Sequence, residues 1–163
     1  MDINRAFDIL MEFEGGAKEV SAPQDKGGLT KYGISQTAYP ELDIKELTPQ
    51  TALGIYTGDY WNAANCNKLK SELQYIHFDT AVNMGVVTAI KILQEAAGVT
   101  IDGVFGAETL AKSVDVSLVE YLLLRQWRDD DIVIHRRDQI VFMGGWKNRN
   151  YALYKMSKAG TLL

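Results

Sequence analysis

The sequence predicts a mainly α-helical domain with one small β-hairpin or irregular lobe near its N-terminus. Three observations carry that expectation. Ala, Leu, Ile and Met are plentiful and only 3 of 163 residues are Pro, a composition that favours helix. Apolar residues recur at helical spacing along most of the chain. That spacing lapses over residues 17–34, where Pro23, Asp25, Gly27, Gly28 and Gly33 collect.

Ile3, Phe7, Leu10 and Met11 share one face of a first helix, with Asp2 placed to cap it and Gly15-Gly16 to stop it. After the irregular lobe, Thr48-Pro49 is an N-cap and first-turn pair that opens a helix reaching about Trp61. Ser71 is placed to cap the next, whose inner face is Leu73, Ile76, Thr80, Ala81 and Met84, and Gly85 ends it. An apolar helix from Val86 to Ala97 follows, closed by Gly98. Asp102-Gly103 marks a tight turn before a short helix near residues 107–112. It lacks the alternating Asp/Asn ligands of a calcium loop. Ser117 caps a long helix carrying Leu118, Tyr121, Leu122, Leu124 and Trp127. The pattern leaves open whether that helix continues through Asp129-Asp130-Asp131 to Phe142. Gly144-Gly145 is expected to break it, before a last helix with Tyr151, Leu153, Tyr154 and Met156. There is no linker, low-complexity tract or internal repeat.

An apolar fraction of 47% is ample for one buried core. Cys66 stands alone, so no intramolecular disulfide is possible. With one Cys and two well-separated histidines, His77 and His135, a zinc site is not expected, and both histidines read as structural. No cofactor is implied. The net charge of −4 argues against a nucleic-acid binder. It conceals an asymmetry: from Arg125 onward eight Lys/Arg face four Asp, so that end is +4 and the preceding residues are −8. A basic end can meet an anionic polymer such as a cell wall, or it can be a solvated helix face. The first residues lack a basic region followed by an apolar run, and no stretch approaches the ~20 apolar residues of a membrane span. The expectation is a protein made in the cytoplasm, without stable membrane insertion, that needs a separate route out.

Glu14 lies where the first amphipathic helix runs into Phe13-Glu14-Gly15-Gly16. A carboxyl there is fixed by a rigid element yet sits at its rim, beside an apolar ring and flexible backbone. Partial desolvation favours the protonated form, which a general acid for a glycosidic oxygen requires. The bland alternative is a helix terminus and nothing more. Downstream, Pro23-Gln24-Asp25-Lys26-Gly27-Gly28 leads into Leu29-Thr30-Lys31-Tyr32-Gly33-Ile34. Asp25 and Thr30 supply an acceptor and a hydroxyl on glycine-rich backbone that a ligand can approach closely. A helix-end Glu facing them could protonate a leaving oxygen and position a water. Against this stands a turn-stabilising Asp25 and a Thr30 that merely pairs in a strand.

Taken together, Phe13-Glu14-Gly15-Gly16, the Pro23–Gly28 run and Thr30-Lys31-Tyr32-Gly33-Ile34-Ser35 resemble glycoside hydrolase family 108, phage-type N-acetylmuramidases with a lysozyme-like helical fold. The resemblance implies Glu14 as catalytic acid and Asp25 as the carboxyl before the Gly pair. Thr30 matches the position that helps hold the attacking water in the wider Glu–Asp–Thr phage lysozymes. One departure stands out: family members carry an Asn-Asp pair ahead of this Pro, where this chain has Ser21-Ala22.

The likeness extends through Phe78-Asp79, Ala81-Val82-Asn83, Gly85, Leu93-Gln94, Gly98, Asp102-Gly103-Val104-Phe105-Gly106 and Thr109, which resemble the family's peptidoglycan-binding segment. Trp146-Lys147-Asn148-Arg149-Asn150-Tyr151 resembles its terminal helix approach. The implied organisation is a catalytic segment at 1–68 and a peptidoglycan-binding-like segment at 69–163, packed as one globular unit. Asp79 and Asn83, one helical turn apart, either reach sugar hydroxyls and peptide amides or form a buried hydrogen-bond network. Of Trp61, Trp127 and Trp146, two are expected in the core, and Tyr32 is the better candidate for a sugar contact.

The expected activity is hydrolysis of the β-1,4 bond between N-acetylmuramic acid and N-acetylglucosamine by a monomer whose partner is bacterial peptidoglycan. The expected setting is host lysis by an endolysin released with a holin. A lytic transglycosylase is the rival within enzymes, and a non-catalytic wall-binding module the rival outside them.

Overall fold

The computed structural model describes residues 1–14 and 28–162. The glycines expected to stop the first helix, Gly15-Gly16, lie outside the described residues. By backbone contacts the chain forms two compact units, Asp2–Asp59 and Tyr60–Leu163, with Met1 counted in the second. The sequence expectation placed the boundary after residue 68. The division falls earlier because Trp61, Ala64 and Cys66 belong to the second core. The Trp61 ring meets the edge of Phe78 at 5.5 Å, and the Ala64 carbonyl pairs with His77.

In the first unit, helix α1 (Ile3–Glu14) starts as its sequence demands. The Asp2 carboxylate accepts from the Arg5 amide at 3.0 Å, satisfying a backbone donor that the first turn leaves unpaired. Ala6, Phe7, Ile9 and Leu10 form its buried stripe. A two-stranded antiparallel hairpin follows, β1 (Thr30–Lys31) and β2 (Ile34–Ser35), pairing Thr30 with Ser35 and Lys31 with Ile34. Helix α2 (Pro49–Tyr56) opens on Thr48, whose hydroxyl accepts from the Thr51 amide at 3.1 Å, with Pro49 in the first turn. It passes into a π-helical stretch at Thr57–Asn62, so the helical run ends where the sequence placed it.

The second unit is built around helix α3 (Ser71–Met84). Ser71 is its first residue and does not cap it; Lys70 holds the cap position without a side-chain bond. The expected one-sided face is also too narrow. Leu73 and every residue from Tyr75 to Ala81 are buried, so the middle of α3 is enclosed on all sides. Thr80 lies inside as expected, and His77 and Asp79 are buried beside it because each has a partner there. Helices α4 (Val86–Ala96) and α6 (Leu118–His135) pack against α3, α5 (Ala107–Ser113) packs on α4, and α7 (Ile140–Lys158) packs on α6. Among the described residues no helix is long and apolar enough to cross a membrane.

Buried Gln94 fixes the connection between α4 and α5. Its amide nitrogen donates to the Asp102 carboxylate (2.7 Å), the Val104 carbonyl (3.1 Å) and the Thr109 hydroxyl (3.2 Å), while its oxygen accepts from the Gly103 amide at 2.8 Å. Gly103 has φ +78°, and a Cβ there would come within 2.9 Å of Val87. The Asp102-Gly103 pair is therefore a turn held from beneath, as the sequence indicated.

Helix α6 runs through Asp129-Asp130-Asp131 and stops at His135. A short 3₁₀ turn, Arg137–Gln139, leads into α7. Gly144-Gly145 does not break α7, contrary to expectation. Two glycines cost about 1 kcal/mol each relative to Ala in a helix. Beyond them, Asn150 and Leu153 are buried and Arg149 is tied into the core, and that anchoring outweighs the local preference.

His77 is fully buried between the Tyr121 hydroxyl (2.8 Å from Nδ1) and the Ala64 carbonyl (3.1 Å from Nε2). The carbonyl can only accept, so Nε2 carries the proton and Nδ1 accepts from Tyr121. Burial lowers the His77 pKa from 6.5 to about 4. The unfolded chain thus binds this proton more readily, and stability present above pH 6.5 is lost as pH falls towards about 4. Chemical denaturation across that range is expected to show a steeper loss for the parent protein than for His77→Gln.

Candidate active site

The first unit joins its helix end and its hairpin through one residue. Tyr56 packs its ring against Phe7 of α1, centroids 5.7 Å apart, and its hydroxyl donates to the Tyr32 carbonyl at 3.0 Å. The element that ends in Glu14 and the turn that follows Thr30 are thus held by the same side chain. Glu14 is the last residue of α1. Asp25, the expected second carboxyl, lies outside the described residues.

The hairpin turn is strained. Tyr32 and Gly33 both have positive φ, +53° and +76°, as a two-residue hairpin loop requires. Gly33 adopts this freely; Tyr32 does so at a cost of order 1 kcal/mol or more. Supports surround the turn. Ile34 is buried, the Lys31 ammonium donates to the Lys45 carbonyl at 2.6 Å, and the Gln36 amide donates to the Leu29 carbonyl at 2.9 Å. The Gln36 side chain then donates to the carbonyls of Tyr39, Pro40 and Leu42. Thr30 and Tyr32 emerge half-buried on a scaffold that holds them in place.

Asp79 and Asn83 are elsewhere, in the second unit, and they part company. Asp79 has no exposed surface. Its carboxylate accepts from Arg125 Nη1 at 2.6 Å and from Arg149 Nη2 at 2.8 Å and Nε at 3.1 Å. Arg125 also donates to the Thr80 hydroxyl at 3.2 Å. Burial works against ionisation here, but the guanidiniums, Arg125 ahead of Arg149, overcome it and hold the Asp79 carboxyl below the usual carboxylate range. Of the two readings the sequence left open, the buried network is the one this carboxylate occupies. Asn83 is exposed; its side-chain amide donates to the Asp79 carbonyl at 2.7 Å, and it lines a cavity of about 410 Å³.

The sequence pointed to none of the residues that complete the network. Arg125 and Arg149 read as part of a basic end that either meets an anionic polymer or is solvated. The only available signal was their shared side of the chain: a buried acid on a central helix needs cations, and the basic residues lie in the last two helices.

Residues 7–85 match the family model described as Glycosyl hydrolase 108. Among solved structures the chain is similar to Brucella abortus SagA, at 28% identity and a TM-score of 0.80. That similarity covers 96% of this chain and 94% of the other. No match was found among curated proteins.

Removing Arg125 leaves Asp79 with Arg149 as its remaining partner and takes a donor from Thr80. Arg125→Ala is expected to cost about 1.5–3 kcal/mol of folding stability, as loss of a charged hydrogen bond does, with Arg125→Lys intermediate because it cannot reach both Asp79 and Thr80. Urea denaturation of the three proteins checks this, and an unchanged midpoint for Arg125→Ala would refute the role assigned to the pair.

Proposed function

We propose, from the match of residues 7–85 to the family model described as Glycosyl hydrolase 108, that the chain is a muramidase with Glu14 as general acid. In this reading it hydrolyses the β-1,4 bond between N-acetylmuramic acid and N-acetylglucosamine in peptidoglycan. The observation that carries it is the placement of Glu14 as the last residue of α1, a helix that Tyr56 ties to the hairpin carrying Thr30. A backbone position at the end of a helix is a restrained one, as a residue that donates a proton to a leaving oxygen needs. Asp25 and the Thr30 hydroxyl serve the water that attacks from the other side of the sugar. Two carboxyls on different elements with a water between them suit inversion, which needs a separation of roughly 6.5–9.5 Å, against about 5–5.5 Å for retention. Tyr32, held at positive φ beside Thr30, supplies a ring for a sugar face. The biological setting that fits is an endolysin, a monomer reaching the wall after holin-dependent release.

Mass spectrometry of fragments released from purified murein tests the chemistry. Glu14→Gln is expected to fold normally and lose activity by at least ~10²-fold, the low end of a general acid's contribution. Thr30→Ala and Asp25→Asn are expected to lower turnover while murein binding stays measurable. The released fragments should carry free reducing muramic acid ends. If 1,6-anhydro ends dominated, the reaction would be a transglycosylation in which the muramoyl 6-hydroxyl replaces water, with Glu14 still the acid. Wild-type clearing by folded Glu14→Gln would remove Glu14 from the mechanism.

A further inference from the structure

Tyr32 is the side chain that the hairpin's own turn least favours. A two-residue loop with both φ positive suits Asn-Gly, Asp-Gly or Gly-Gly, and a bulky ring works against it. Gly33 meets that demand at φ +76°; Tyr32, at φ +53°, meets it under strain. Nothing in the turn calls for an aromatic ring. Strain of this kind persists only where the surrounding structure over-determines it, and it collects at sites that hold a ligand.

What over-determines it here comes from outside the hairpin. The turn's own pairing joins the residues that flank the loop, Lys31 and Ile34, and leaves the Tyr32 carbonyl to be met from elsewhere. Tyr56, the last residue of α2, meets it with its hydroxyl at 3.0 Å. That hydroxyl is itself fixed, because Tyr56 is buried with its ring against Phe7 at 5.7 Å. A second restraint acts on the Tyr32 ring. The Lys31 ammonium stands over it at 5.9 Å and is tied in turn to the Lys45 carbonyl at 2.6 Å. A Tyr32 released from the left-handed region would change φ by roughly 100° or more and swing its ring out of this setting.

We infer that Tyr56 is a positioning residue for this site: through the Tyr32 carbonyl it holds Tyr32 in its left-handed conformation and so aims the ring at a sugar face. It touches no substrate and acts only through Tyr32. The bland alternative, a buried hydroxyl that merely finds an acceptor, predicts a loss of stability and no change at Tyr32. The sugar as ligand rests on the muramidase reading above; the hold on the turn does not.

Tyr56→Phe keeps the ring against Phe7 and removes only the hydroxyl. Two measurements follow it in the full chain. One is the Tyr32 amide–Hα cross-peak, which is strong when φ is positive. The other is calorimetric binding of a murein disaccharide that lacks the scissile bond. The expected result is a weaker cross-peak and binding about 5-fold weaker, as loss of an aromatic contact predicts. In turnover of soluble murein oligosaccharides the loss should fall on KM more than on kcat. Tyr32→Gly, which removes the ring and takes positive φ freely, should weaken binding to about the same extent. Adding Tyr56→Phe to it should weaken binding no further, because both act through one ring. Additive losses overturn the proposal. So does a Tyr56→Phe protein that melts earlier yet keeps the parent's cross-peak and affinity. The cross-peak needs no ligand, so the two readings fail separately. A parent protein that neither binds nor cleaves murein, but whose Tyr32 moves in Tyr56→Phe, loses the muramidase reading and keeps the hold on the turn. One that cleaves murein, with Tyr32 unmoved in Tyr56→Phe, keeps the muramidase reading and loses the positioning role.

Discussion

One carboxylate organises the larger unit of this protein. Asp79 sits on the enclosed helix α3 with no access to solvent, and its two oxygens are shared by Arg125 from α6 and Arg149 from α7. Taking these charges out of water is expensive, and the mutual attraction only offsets that cost when geometry and hydrogen bonding are good. Here they are: Arg125 reaches Thr80 as well, and Arg149 approaches through two nitrogens. The pair contributes position more than net stability. An α6 or α7 rotated by one residue about its axis would leave a buried charge bare, so the ion network fixes the rotational setting of both helices. This explains how α7 can carry Gly144-Gly145 without breaking. The anchor lies in the next turns, and local propensity has little say over a helix fixed by a buried salt link.

The smaller unit relies on a different constraint. Its sheet is two residue pairs long, far too short to be stable alone. It persists because its turn is tied from outside: Tyr56 holds the Tyr32 carbonyl, Lys31 holds Lys45, and Gln36 closes three further carbonyls. A tyrosine at positive φ is tolerated only under such support, and the strain falls on the segment that presents Thr30 and Tyr32. Rigidity is what a site needs when a fraction of an ångström separates a productive proton donor from an idle one.

Most of the helices were legible in the sequence because their signals are local. Thr48-Pro49, Ser117, Gly98 and Asp102-Gly103 each act within a few residues of themselves, and each marks what it was read to mark. The readings that failed did so for different reasons. Ser71 as a cap is off by one residue, with Lys70 in that position, whereas Gly144-Gly145 as a break was overridden by the anchoring of Arg149, Asn150 and Leu153 further along α7. His77 could be read as structural, but its partner, Tyr121, lies 44 positions away. Asp79 stayed open between a ligand contact and a buried network because Arg125 and Arg149, which decide it, lie 46 and 70 positions on. The candidate site divides in the same way. Glu14 at a helix end and Thr30 in a hairpin follow from nearby glycines and apolar spacing, whereas Asn83's place on a cavity wall depends on α6 and α7.

Asp79 and Asp129 show why burial alone does not identify a functional carboxylate. Both are almost wholly removed from solvent, and both lie near Arg125. For Asp79 the guanidiniums are in contact, the charge is satisfied and the carboxyl is held in its ionised form. It has no capacity left for a ligand. For Asp129 the same arginine is near enough to be felt and makes no hydrogen bond to it, so burial dominates and the proton is held more tightly. A satisfied buried charge is part of the scaffold. Asp129, which makes no such contact and lines a cavity, is not tied into it.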